Sequence, residues 1–188
     1  GQQTYGETSA VSLNGSFNTN NTSFTINAPA TLTGNTTINA GTGNITFTST
    51  VDSATAARGL TANSSNVTTF NDLVGNTTAL STLTTNANGT STLQGVNTTG
   101  AQSYGDNTTT LNGTYTTANG SFSVAGSTLL ADNVTVNAGG SAGSVTFTGT
   151  VDSTTTAKGL TVNTNQATTF DSLVGNTTAL STLTTNAN

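Results

Sequence analysis

The chain has no Cys, His, Met or Trp, and a single Pro, Pro29, in 188 residues. Without Cys there is no disulfide, thiol chemistry or Cys-based metal site. Nine side chains are formally charged, seven acidic and two basic, and Arg58 and Lys158 are the only cations. Phosphate binding needs a basic patch, so a net charge of −5 excludes a nucleic-acid partner. No apolar run reaches membrane-spanning length, so no membrane span is expected. No signal-peptide pattern opens the chain, which is the expectation for a mature or excised segment. Apolar residues make up only 31 %. A deficit of that kind often means disorder, but disordered chains are usually rich in charge and Pro, and this one has little of either.

What fills the chain is 49 Thr and 25 Asn, with 21 Gly. Thr, with the scattered Val, Ile, Phe and Tyr, favours pleated, half-buried surfaces. Asn and Gly favour tight corners, where φ is often positive. Helix is disfavoured throughout, because Thr, Asn, Ser and Gly are poor helix formers. The chain therefore alternates strand formers with corner formers.

It also repeats. Residues 73–88 return unchanged as 173–188, Val51-Asp52-Ser53 as Val151-Asp152-Ser153, and Gly59-Leu60-Thr61 as Gly159-Leu160-Thr161. Tyr5-Gly6-Glu7 matches Tyr104-Gly105-Asp106, and Ser23-Phe24-Thr25-Ile26 matches Ser121-Phe122-Ser123-Val124. Residues 138–143 carry two more residues than 40–43, an insertion that belongs in a loop. The second copy stops at Asn188 without a counterpart of residues 89–100, the expectation for an array cut mid-unit.

A finer step of 20–22 residues runs inside each copy. Ile38 leads to Leu60, Ile45 to Val67 and Val51 to Leu73 at 22 residues, and Leu60 to Leu80 at 20. Between them lie corner segments such as 39–44, 63–66, 75–76 and 86–89. Ile45-Thr46-Phe47-Thr48 and Val145-Thr146-Phe147-Thr148 alternate as strands with one buried face do. Periodicity of this kind predicts an all-β fold, a parallel β-solenoid of about nine coils of 20–22 residues. It is expected as one continuous domain over residues 1–188, with internal repeats 1–99 and 100–188. Ile38, Ile45, Phe47, Val51, Leu60, Val67, Leu73, Leu80, Val145, Phe147, Val151 and Leu160 form the expected core. A tandem of two β-sandwiches fits the length of the long repeat, but the short step and small corners weigh against it.

The stretches at residues 43–53, 59–63, 68–75 and 98–106 resemble repeats of filamentous-haemagglutinin-like bacterial surface adhesins, which are exported by two-partner or autotransporter routes. The resemblance runs along nearly the whole chain and concerns a repeat, not an active site. It implies a secreted right-handed β-helix serving as a stalk on the cell surface.

No residue pattern carries strong chemistry. Gly139-Gly140-Ser141-Ala142-Gly143 fits the nucleophile-elbow spelling, but that motif needs a strand-to-helix turn and a His base. Asp52 with Arg58, and Asp152 with Lys158, recur in both copies and read as salt bridges or solvated pairs. Glycosidase chemistry needs two carboxylates within about 5–10 Å, and the acids here are spaced singly. They also lack the Gly-Gly-x-Gly-x-Asp signature of calcium-binding repeats. Asn-x-Ser/Thr occurs 15 times, which corner Asn beside strand Thr largely explains. Tyr5 and Tyr104 read as packing or coil-end residues.

Thr25, Thr46, Thr68 and Thr90 fall 21, 22 and 22 residues apart and are the candidates for an outer Thr ladder. Ice-binding solenoids present paired ladders of this kind. The partner column fails, because the same steps from Thr48 reach Phe70 and Asn27. The expected function is a structural segment of an extracellular or cell-surface fibre, without catalysis or cofactor. The expected partner is self, by head-to-tail stacking or as part of a longer array. The alternative is a module binding surface carbohydrate or ice through a Thr-rich face.

Overall fold

The computed structural model describes residues 1–86 and 88–187. Ala87, in the expected corner at 86–89, and Asn188, where the second copy stops, lie outside the described residues. The fold is an all-β parallel solenoid of about nine turns, and no helix occurs among the described residues. Every strand pairing is parallel, so each coil lies beside the next at the usual strand spacing of about 4.8 Å. Nine coils make a rod roughly 40 Å long.

Each turn has three faces. The first stacks Gln3–Tyr5, Phe24–Ile26, Ile45–Phe47, Val67–Phe70 and Thr90–Leu93. It continues through the opening residues of Thr108–Thr117 and Ser127–Ala138 to Val151–Ser153. The second stacks residues 11–13 on 30–32, then Val51–Ser53, Val74, Val96–Thr98, residues 115–117 and 134–138, Gly159–Thr164 and Thr182–Asn186. The third stacks residues 15–18 on 36–39, then Gly59–Ser64, Thr82–Asn86, Gln102–Tyr104, Phe122–Val124, Val145–Phe147 and Thr168–Phe170. The corner between the second and third faces in the first turn is made by Gly15 at φ +85°. Gly113, at φ +80°, makes its counterpart between the first and second faces in the second copy, a backbone that L side chains rarely adopt.

Alternation along each strand sends every second residue inward. Ile38, Ile45, Phe47, Val51, Leu60, Leu80, Val145, Phe147, Val151 and Leu160 are all buried. Two expected core residues are not. Val67 is half-buried on the outer surface, and Leu73 is 38 % exposed. Both misplacements have one cause. The step from Ile45 is 23 residues, to Thr68, and the step from Val51 is 23, to Val74. Phe70 stacks face to face on Phe47, with centroids 5.0 Å apart and an interplanar angle of 4°. With Phe70 inward, alternation turns Thr68 inward too and leaves Val67 outside.

Rings fill the interior in two matching clusters. Tyr5, Phe17, Phe24, Phe47 and Phe70 form one, with centroid contacts of 5.0–6.3 Å. Tyr104, Tyr115, Phe122, Phe147 and Phe170 form the other, and Phe147 and Phe170 stack at 5.3 Å and 3°. Offset and edge contacts of this kind contribute about 0.5–1.5 kcal/mol per pair beyond burial. The buried Tyr hydroxyls are partnered. Tyr115 donates to the Leu93 carbonyl at 3.1 Å, and Tyr104 to the Gln102 amide oxygen at 3.1 Å. Burial pushes both phenols well above their ordinary value, so both remain donors. Gln102, itself buried, donates to the Val96 and Thr116 carbonyls at 3.1 and 2.9 Å.

Candidate functional site

Outward side chains of successive coils line up into columns. The longest is on the third face: Ser16, Thr37, Thr61, Thr84, Ser103, Ser123, Thr146 and Thr169 are register partners in turn. It is an eight-rung hydroxyl column that crosses from one long repeat to the other without a break. The first face carries a second column, Thr4, Thr25, Thr46, Thr69, Thr92 and Thr110. The sequence placed Thr68 and Thr90 in this column, and that register was wrong. Thr68 points into the core and is fully buried, and Thr90 partners Val67 and Thr108. The extra residue that displaced Val67 displaced these two as well.

An Asn column flanks part of the third-face ladder: Asn18, Asn39, Asn63 and Asn86. The Asn63 amide donates to the Asn39 carbonyl oxygen at 2.8 Å. On the second face Asn137, Asn163 and Asn186 do the same beside Thr135, Thr161 and Thr184, with amide bonds of 2.7 and 2.9 Å. Such ladders satisfy each amide along the axis, as in cross-β stacks.

Two recurrent aspartates, Asp52 and Asp152, are used within the fold. Asp52 accepts the backbone N–H groups of Thr77 at 2.8 Å and Thr78 at 3.1 Å, one coil on. Asp152 accepts those of Thr177 and Thr178 at 2.8 and 3.2 Å. Each carboxylate thus pins the loop that follows Gly75 or Gly175. The expected ion pairs with Arg58 and Lys158 are not what these carboxylates make. Lys158 lies 3.8 Å from Asp132 instead, and the Ser53 and Ser153 hydroxyls accept the backbone N–H groups of Arg58 and Lys158 at 2.9 Å.

Asp106 is the exception among the acids. It is 1 % exposed, at the corner between the third and first faces. It accepts a hydrogen bond from the Thr85 hydroxyl, while its other carboxylate oxygen has no partner. Burial raises its pKa, and the hydrogen bond from the Thr85 hydroxyl offsets part of that. Near it an inward column of hydroxyls, Thr68, Ser91, Thr109 and Thr128, replaces the aliphatic residues found above and below. Ser91 donates to Thr109 at 3.2 Å. The counterpart of Asp106 in the first copy, Glu7, is exposed in the first coil. Nothing in the sequence distinguished these two acids, because the difference comes from coils lying on both sides of Asp106.

The remaining sequence candidates sort simply. Ser141 is exposed in a turn between two strands, with no helix after it. No group of three or more His, Cys, Asp or Glu gathers among the described residues. Beside the exposed Leu73 a shallow groove runs along Gln94, Gly95, Gly113 and Thr114. No helix among the described residues is long and apolar enough to cross a membrane. The outer columns offer neutral hydrogen-bond donors and acceptors at the strand spacing, with Arg58 and Asp171 at the ends of two of the third-face strands. No family model, no curated protein and no solved structure matches the chain.

Proposed function

We propose that the chain is a structural segment of a long extracellular fibre or surface stalk, without catalysis and without a cofactor. One observation carries this reading. The stacking of the three faces runs through the junction of the two long repeats without interruption, as Thr84 to Ser103 on the third face and Thr92 to Thr110 on the first. A solenoid of this kind sets distance, because each coil adds a fixed rise and contacts only its neighbours. It supports the stalk role that the adhesin resemblance implies. The partner in this reading is a further length of the same array, joined covalently or by end-to-end stacking of open edges. The test is mechanical and hydrodynamic together. Single-molecule pulling should give stepwise release of coils at high force, and limited proteolysis should leave the rod uncut. Rapid digestion to small peptides under native conditions would end the proposal. End-to-end stacking predicts concentration-dependent sedimentation, and a monomer at high concentration argues for the covalent form.

A second reading has its own support in the eight-rung hydroxyl column of the third face. In that reading the face binds neutral carbohydrate or ice. Thermal hysteresis, or retention on a glycan surface that Thr61→Lys and Thr146→Lys abolish, would favour it over the purely mechanical role.

A further inference from the structure

The first and last coils carry their strands in the same order but on different faces. Gln3–Tyr5, residues 11–13 and residues 15–18 lie on the first, second and third faces. Thr168–Phe170, Val174 and Thr182–Asn186 lie on the third, first and second. Twenty strands, four of them bent across two faces, and the bridging residues Val74 and Val174 give twenty-six face segments. On three faces these are eight and two-thirds turns, so the segment due next falls on the third face. The same counting rotates the second long repeat: Gln3–Tyr5 lies on the first face, and its counterpart Gln102–Tyr104 on the third.

The two end coils leave complementary groups unused. Phe170, Val174 and Leu180 are half-buried and Leu183 is exposed at one end, and Tyr5 and Phe17 are half-buried at the other. Each end also presents a row of strand-edge N–H and C=O groups. The Asn ladders have a direction, because the amide of the later coil donates to the carbonyl oxygen of the earlier one. The Asn186 carbonyl oxygen and the Asn18 amide N–H groups have no partner among the described residues. An acceptor at one end and a donor at the other fit each other, and neither fits a copy of itself.

We infer that a second copy of this chain docks with its first coil on the last coil, rotated by one third of a turn. Gln3–Tyr5 of the incoming copy then lies on Thr168–Phe170, its residues 11–13 on the edge at Val174, and its residues 15–18 on residues 183–186. The contents of each column continue in kind. Tyr5 joins the stacked rings of Phe147 and Phe170, Val11 lies on Val174 as Val96 lies on Val74, and Thr4 extends the outer column from Thr169. Asn18 comes over Asn186, so its amide meets the open carbonyl oxygen. Neither of the other two rotations brings these two together. Gln3 takes the place that Gln102 has inside the rod, where the buried amide donates to the Val96 and Thr116 carbonyls. The contact is heterologous and does not close, so copies add into a filament. Each copy contributes about 42 Å of rise, from eight and two-thirds strand spacings. This rests on the stalk reading and gives its self partner a coil and a phase.

The test uses the intact chain, whose lack of Cys makes any engineered thiol the only one. Neighbouring parallel strands hold paired Cα atoms about 4.8 Å apart, within the range a disulfide spans. Under mild oxidation, Thr4→Cys chains should link to Thr169→Cys chains at least about tenfold faster than to Thr184→Cys chains, because docking raises the effective thiol concentration. Equal or faster linking to Thr184→Cys would overturn the phase. Sedimentation of the unmodified chain should show mass growing with concentration. Leu183→Lys should weaken that association about a hundredfold or more, since the joint would enclose an unpaired charge. Its melting curve should stay close to the parent's, because Leu183 is 46 % exposed in the single chain. Undiminished association of Leu183→Lys, or a monomer at every concentration, would overturn the joint. Neither result touches the stalk reading, which stands or falls on pulling and proteolysis.

Discussion

Leu83 is fully buried, and Leu183, which sits in an identical stretch of sequence, is 46 % exposed. The difference is the coil on the far side. Gln102 is the register partner of Leu83 and covers it, whereas Leu183 has a partner only in Leu160. Phe70 and Phe170 show the same contrast, buried against half-buried. Identical residues thus differ in energetic weight by position along the stack. Leu83→Ala should cost about 2–5 kcal/mol and Leu183→Ala under about 1 kcal/mol. Chemical denaturation of the two variants measures both, and equal losses would mean that the last coil is covered in solution.

Asp106 gives the stability its own pH dependence. Burial raises the folded-state pKa, so the fold holds the proton more tightly than the unfolded chain does. The sign follows from linkage: this group's contribution is most favourable below the ordinary carboxylate value and is lost as pH rises through the raised one. Asp106→Asn should therefore be more stable than the parent at pH 7, with the gap closing on acidification. Melting curves of both proteins at pH 4 and pH 7 compare them with the other acids held in common. A variant less stable than the parent at pH 7 would show that the ionised carboxylate is needed.

Gly75 and Gly175 have the same backbone, at φ +71° and +67°, but different neighbours. A Cβ on Gly75 would lie 2.2 Å from the Asn97 carbonyl oxygen of the next coil. On Gly175 its nearest contact is Ala179 at 3.3 Å. Gly175→Ala should carry chiefly the backbone term, about 1–3 kcal/mol, with a small shift of the Ala179 backbone. Gly75→Ala should exceed it, because the next coil must also shift. Calorimetry on the pair checks the order.

Asp52 joins two coils through a single carboxylate oxygen that accepts two N–H groups. Asp52→Ala should cost about 1–3 kcal/mol, in the range for hydrogen bonds to a charged group. Faster amide exchange at Thr77 and Thr78 should accompany it, while exchange at Thr177 and Thr178 stays unchanged. Arg58→Ala should leave those amides untouched, because Arg58 makes no ion pair with Asp52 among the described residues.

Much of this architecture was written in the residues. The Ile45-Thr46-Phe47-Thr48 alternation and the return of Val51-Asp52-Ser53 were enough to name a parallel solenoid and most of its core. What the chain did not disclose was register. Steps of 22 and 23 residues look alike in a chain so rich in Thr, and a single residue turns an outer position into an inner one. Thr68 and Val67 changed places on that residue, and the aromatic pair Phe47 and Phe70 decides between them. Leu73 looked like core by type, yet its neighbour Val74 takes the inward place. The outer columns were half legible for the same reason: Thr25 and Thr46 were found, and Thr69 and Thr92 were missed. The rotation between copies needed three faces to be counted, and the sequence offered only a length.

One ion pair was found among the described residues, Lys158 with Asp132, and the aspartate side chain is 63 % exposed. Cohesion here comes from backbone pairing, buried rings and aliphatics, and neutral amide columns. Dissolved salt has almost nothing to screen. The melting temperature of this rod should barely move between fresh water and brine, an indifference that a fibre relying on surface charge could not have.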